Sequence, residues 1–114
     1  MTLQFYRSIR AFAPLLVLSL CALAPAWGAD AEAGKAVFLK KCKTCHGAEG
    51  QGNAGMAKVL KVEIKHLGDA SVQEMSDDDI KKTVLEGVGK MKPVKAVEGA
   101  DLDNVLAFVR TLKK

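Results

Sequence analysis

Beyond residue 28 the sequence has only two aromatic residues, Phe38 and Phe108; the other four, Phe5, Tyr6, Phe12 and Trp27, lie ahead of that point. Disulfides are equally scarce. Of the three cysteines, Cys21 sits in an N-terminal apolar stretch, and a bridge between Cys42 and Cys45 would close too short a loop to stabilise much. No apolar run reaches the 18 or more residues of a membrane span, since the longest, Ala11–Ala24, has fourteen and includes Ser19. Basic residues are not interleaved with aromatics, so nothing favours nucleic-acid binding. At 114 residues the chain is one domain at most. Its 26% charged and 49% apolar residues exclude wholesale disorder. A domain of this size rarely gains more than ~3–5 kcal/mol from its own apolar burial. With so few aromatics and no useful bridge, something else must fill the core.

The N-terminal segment reads as a secretory leader. Arg7 and Arg10 supply its positive start, Ala11–Ala24 its apolar centre, and Ala24, Ala26 and Gly28 the small residues that direct cleavage before Trp27 or before Ala29. Residues 1–28 are thus expected to be a signal peptide and 29–114 the working domain of an exported, periplasmic protein. The alternative is an uncleaved anchor. Leu20 ahead of Cys21 argues against a lipoprotein box. Without the leader, 15 basic residues stand against 13 acidic ones, and the net charge falls from +4 to +2.

Both remaining cysteines belong to Cys42-Lys43-Thr44-Cys45-His46, a C-x-x-C-H motif. Cysteines three apart on a helical turn share a face, so both sulfurs can reach neighbouring vinyl groups of a haem and form thioethers. The next residue then brings its imidazole over the iron. Two other readings compete. A thioredoxin-type pair needs a strand-to-helix turn within a βαβ unit, and no strand precedes the motif. A structural zinc site needs four ligands; Cys42, Cys45 and His66 give three, and His46 is poorly placed for the fourth.

The rest of the chain predicts helices. Asp30-Ala31-Glu32 is an acidic helix start, and about 31–43 reads as helix with Ala33, Ala36, Val37 and the Lys40 stem near one face. Four glycines in residues 47–55 predict a flexible loop that lacks the ending of a phosphate-binding loop. Met56–Ile64 reads as a short helix followed by loop. Ser76-Asp77-Asp78-Asp79 is a capping signal that opens a helix carrying Ile80, Val84 and Leu85, stopped by Gly87. Over about 101–112, Leu102, Val105, Leu106, Val109 and Leu112 recur at helical spacing beside Phe108. No strand is convincing, and the class is all-α.

These segments together resemble a class I c-type cytochrome over most of residues 29–114. Gly34-Lys35-Ala36-Val37-Phe38 ahead of Cys42-x-x-Cys45-His46-Gly47 is similar to its N-terminal helix and haem motif. Asp79-Ile80 through Leu85-Glu86-Gly87-Val88-Gly89-Lys90-Met91 is similar to the approach to its methionine ligand. Asp101-Leu102 through Ala107-Phe108-Val109-Arg110-Thr111-Leu112 is similar to its C-terminal helix. The resemblance implies three main helices joined by loops around one covalently attached haem c. It also implies a close crossing of the first and last helices at Gly34, with Phe38 and Phe108 nearby. The chain departs from the family in three places. Lys92 separates Met91 from Pro93, the loop after the haem motif has no proline to orient the histidine, and aromatic residues near the propionates are missing. The partner of the His46 ring N–H is therefore unassigned.

For the sixth iron position the candidates are Met56, His66, Met75 and Met91. Met91 is preferred: Gly87 and Gly89 let the backbone approach a haem face, Pro93 stiffens the chain beyond, and 45 residues separate it from His46, enough to reach the opposite face. The implied set is Cys42 and Cys45 for attachment, with His46 and Met91 on the iron. Such a filled coordination sphere leaves one-electron exchange as the chemistry, with methionine raising the potential. A monomeric, non-enzymatic periplasmic electron carrier follows, with no stable membrane insertion after processing. The alternatives are a haem subunit of a larger oxidoreductase, or a sensor or enzyme if Met91 is not a ligand. Lys40, Lys41 and Lys43 bracket the attachment site and Lys90, Lys92 and Lys95 bracket Met91, which predicts redox partners docking acidic surfaces at the haem edge. Burying several hundred Å² of porphyrin at ~25 cal/mol/Å² contributes on the order of 10 kcal/mol, which answers the core deficit. The haem-free chain is accordingly expected to be largely unfolded, and far-UV circular dichroism of a Cys42→Ala/Cys45→Ala double variant would show little helix; a cooperative thermal transition in that variant would contradict it.

Overall fold

A computed structural model describes residues 28–114; the expected signal peptide falls almost wholly outside the described residues. Six helical segments occur in them: α1 (Ala31–Lys41), α2 (Lys43–His46), α3 (Ala54–Leu60), α4 (Ala70–Gln73), α5 (Asp77–Glu86) and α6 (Gly99–Thr111). Three are long enough to organise the domain, α1, α5 and α6. Among the described residues the only extended pairing is an isolated bridge between Val88 and Met91. The all-α class with three main helices is therefore observed.

The helix starts follow the capping chemistry of the sequence. Asp30 accepts from the N–H groups of Glu32 (2.9 Å) and Ala33 (3.2 Å), satisfying two donors that a first turn leaves free. Ser76 Oγ accepts from Asp79 N–H at 3.1 Å, and Gly87 ends α5 at φ 76°. Three boundaries differ from expectation. α1 stops at Lys41 because Cys42 N–H bonds back to Phe38 C=O (2.8 Å) and caps it, so the haem motif forms its own single turn. α3 begins two residues earlier than expected because Asn53 caps it. α6 begins at Gly99, and the one-turn α4 is too short to show periodicity in sequence.

The core is the crossing of α1 and α6. Phe38, Val97, Leu102, Val105, Phe108 and Val109 form one buried cluster, with Val37, Cys42, Leu67, Val84, Leu85, Val94 and Leu112 packed around it. The Phe38 and Phe108 rings meet at 5.0 Å between centroids, tilted by 58°, within the favoured range for aromatic pairs. The buried face of α1 is Gly34 with Phe38, half-covered by Val37. Ala36 and Lys40, expected near that face, are exposed. One turn of spacing puts Gly34 beside Phe38, and the large ring and the bare backbone together decide which side turns inward.

Two side chains tie the remaining segments to α6. Gln73 Nε2 donates to the carbonyls of Leu67 (2.8 Å) and Val109 (3.0 Å). Arg110 donates to the carbonyls of Gln73 and Met75 and to Asp77 Oδ1, each at 2.7 Å. Together they hold the α4–α5 link over the last helix. Among the described residues no helix is long and apolar enough to cross a membrane.

A Cβ on residue 34 would fall on the main-chain carbonyl of Asn104, where no flexible side chain can yield. Gly34→Ala is therefore expected to destabilise the protein by about 2–3 kcal/mol through overpacking, despite alanine's better helix propensity. Guanidinium unfolding followed by helical circular dichroism checks this; a stabilised variant would mean the helices can separate without loss.

Candidate functional site

The end of α1 delivers the haem motif against the core. Cys42 caps α1 and packs on the buried cluster, and the chain turns once more through Lys43–His46. Cys42 C=O accepts from Cys45 N–H (3.3 Å) and His46 N–H (3.0 Å), and Lys43 C=O accepts from Gly47 N–H (2.8 Å). This single turn places residues 42 and 45 on one side, as the spacing requires. Both are half-buried thiols, not bridged to each other.

The surroundings of Cys42 do not suit a thiol–disulfide nucleophile. Burial, and secondarily the neighbouring Cys45, push the Cys42 thiol up to about 11. A nucleophilic redox cysteine requires the opposite shift. Zinc is no better served: among the described residues no three His, Cys, Asp or Glu side chains gather to hold an ion. His66, the third ligand that reading needed, instead accepts from Gly68 N–H through Nδ1 at 2.8 Å, shaping a turn whose glycine lies against the Leu112 carbonyl.

His46 is half-buried, and desolvation lowers its pKa below the ordinary imidazole value. The neutral ring this favours is the form that can ligate a metal. Its Nδ1 is fully covered and has no hydrogen-bond partner, alone among buried side-chain N and O atoms of the described residues. The partner of the ring N–H, unassigned in the sequence, is thus not supplied by any group of the described residues. Two thiols on one face of a turn, followed by a neutral imidazole and backed by apolar side chains, make a donor set that fits a covalently attached haem.

Met91 lies elsewhere in the chain, at the closed end of a tight turn after α5. Val88 N–H donates to Met91 C=O (3.0 Å) and Met91 N–H to Val88 C=O (2.9 Å), with Gly89 at φ 55° between them. Gly87 is obligatory here: its φ is 76°, and a Cβ would stand 2.5 Å from Met91 O and 2.9 Å from Pro93 N. Val94 N–H then bonds to Val84 C=O at 2.7 Å, fixing the turn to α5. Met91 itself is half-buried, as are Met56 in the first turn of α3 and Met75 in the α4–α5 link. Lys40, Lys41, Lys43, Lys90, Lys92 and Lys95 are all exposed, and Val88, at the Met91 turn, is 63% exposed.

The loop after the motif is more constrained than its glycines indicate. Gly47, Gly50 and Gly52 all take positive φ, and the chain folds back so that Gly52 N–H reaches His46 C=O (2.7 Å) and Asn53 N–H reaches Cys45 C=O (2.9 Å). Leu67 N–H bonds to Gly50 C=O at 2.8 Å, pinning the middle. Asn53 was not singled out as a site residue from sequence, although an Asn directly before Ala54-Gly55-Met56 carries a capping signal.

Comparison with known proteins agrees with this geometry. Residues 29–109 match the family described as cytochrome C oxidase, cbb3-type, subunit III. The chain is 32% identical over 106 residues to the cbb3-type cytochrome c oxidase subunit CcoP of Rubrivivax gelatinosus, an alignment covering 88% of this chain but 33% of that one, so it spans only about a third of that relative's length. It is 33% identical over 91 residues to cytochrome c-554(547) of Halothiobacillus neapolitanus, covering 74% of this chain and 98% of the relative. Among solved structures, the KustC0563 c-type cytochrome matches with a TM-score of 0.60 at 30% identity, over 71% of this chain and 98% of that one. A single-turn C-x-x-C-H motif on a crossing of first and last helices, in a chain matched over residues 29–109 to this family, leaves one conclusion: the chain belongs to the class I c-type cytochromes, electron-transport proteins that carry covalently bound haem c and its iron.

Proposed function

We propose that Cys42 and Cys45 would hold the haem through thioethers, that His46 and Met91 would ligate its iron, and that the protein is a periplasmic one-electron carrier released by removal of residues 1–28. The observation that carries the reading is the turn at 42–46, with two thiols and a desolvated, neutral imidazole set side by side against the core. Bound haem supplies a one-electron couple at its iron. The chain's own residues do the rest. Cys42, packed on the Phe38–Phe108 cluster, fixes the attachment to the most rigid part of the domain. Half-buried apolar residues around that cluster line its edge. The Val88–Met91 turn, closed by two hydrogen bonds and fastened to α5, holds a thioether at a defined place in the chain. The His66 ring, by contrast, is already engaged by Gly68 N–H. A filled sphere excludes substrate binding at the metal and so favours a carrier over an enzyme.

A second reading has a specific observation behind it. The match to the cbb3-type subunit III family, and to one third of CcoP, supports a haem module working within a larger oxidoreductase. Native gel filtration separates the two, since a free carrier elutes as a monomer.

Met91→Ala is expected to abolish the sulfur-to-iron charge-transfer band of the oxidised protein and lower the reduction potential, with the covalent haem retained. A parent protein lacking that band would contradict Met91 ligation. The exposed lysines near the motif and near Met91 predict reduction by acidic partners at rates that fall as ionic strength rises. Stopped-flow rates unchanged between low and high salt would remove electrostatic steering.

A further inference from the structure

Among the described residues His46 has no side-chain or main-chain acceptor for its buried Nδ1, so none of them orients its ring from the side. Its placement is inherited from the backbone of the Lys43–His46 turn. A one-turn helix leaves its last carbonyls without partners, and here every one is covered. Lys43 C=O takes Gly47 N–H, His46 C=O takes Gly52 N–H (2.7 Å), and Cys45 C=O takes Asn53 N–H (2.9 Å). Thr44 C=O takes Asn53 Nδ2 at 3.1 Å. Asn53 therefore supplies two of the four bonds. The other end of its amide faces forward: Oδ1 accepts from Gly55 N–H (2.9 Å) and Met56 N–H (3.1 Å), capping α3. Its own carbonyl accepts from Ala57 N–H at 2.9 Å. All four polar groups of this exposed residue are engaged, and one planar amide bridges the end of the haem motif to the start of the next helix.

We propose that Asn53 is the positioning residue of this site: it clamps the Thr44–Cys45 backbone to α3 and thereby fixes the plane of the His46 imidazole, the task that a carbonyl acceptor on the ring would otherwise perform. This rests on the reading of His46 as the iron ligand. The chemistry requires both ends of an amide. A donor must reach Thr44 while an acceptor stays on Gly55 and Met56, and among residues that cap helices well only asparagine offers both at this length.

Two variants of the haem-loaded protein separate the clamp from the cap. Asn53→Ser keeps a strong helix cap but has no second polar atom for Thr44, whereas Asn53→Ala removes both functions. The paramagnetically shifted haem methyl resonances of the oxidised protein report the plane of the axial imidazole. The proposal predicts that both variants alter the spread of these resonances. It also predicts that amide protons at 52 and 53 exchange about fivefold faster in the serine variant, as expected for one lost hydrogen bond. A wild-type methyl pattern in Asn53→Ser, with changes only in Asn53→Ala, would overturn the proposal and leave Asn53 as a cap. Wild-type methyl patterns in both variants would overturn it as well. Parent protein without covalently attached haem would instead overturn the reading on which the proposal rests, and its pyridine haemochrome spectrum detects that case independently.

Discussion

Because residue 34 has no side chain, α1 rests directly on the main chain of α6 at Asn104, and the remaining architecture follows from that contact. The close approach brings Phe38 onto Phe108, the one aromatic pair of the described residues. It also fixes the end of α1, and with it the point where Cys42 turns out of the helix into the haem motif. A wider crossing would separate the rings and move the cysteines of the motif away from the core. The link from a missing methyl group to a redox site is thus short: backbone contact, ring contact, cap, motif.

The protein part of this core is thin. Seven hydrophobic residues are buried among those described, five of them on α6. Half-buried apolar side chains surround them without closing over, and the loops are held mainly by polar anchors such as Gln73 and Arg110. These anchors set geometry but supply modest net stability, since each hydrogen bond replaces one to water. The haem proposed to attach at Cys42 and Cys45 would be the natural complement to such a shell. On that proposal the cofactor that defines the chemistry would also be the largest element of the core.

Much of this was legible in the sequence, and the reasons are local. C-x-x-C-H depends only on spacing, Ser76 and Gly87 act within one turn of their own positions, and the stripe from Leu102 to Leu112 repeats often enough to declare its period. The inward face of α1 was misjudged because alanines and a lysine stem count as apolar by type, whereas the structure selects Gly34 for what it lacks and Phe38 for its size. α4 escaped because four residues carry no period. The loop at 47–55 looked flexible because glycine composition signals freedom, but three of those glycines take the positive φ that lets the chain double back and bond to the motif. Asn53 was invisible as a site residue for the same reason. Its partners at Thr44 and Cys45 are brought within reach only by that fold-back.

The account turns on a porphyrin held by thioethers at 42 and 45 as the completion of the core. Processed protein purified from a host able to attach haem tests this most directly, by intact mass under denaturing conditions alongside a thermal melt. The account predicts a chain whose mass includes one haem after denaturation, coloured, and folded only in that form. A colourless chain that is nonetheless compact and melts cooperatively would contradict it.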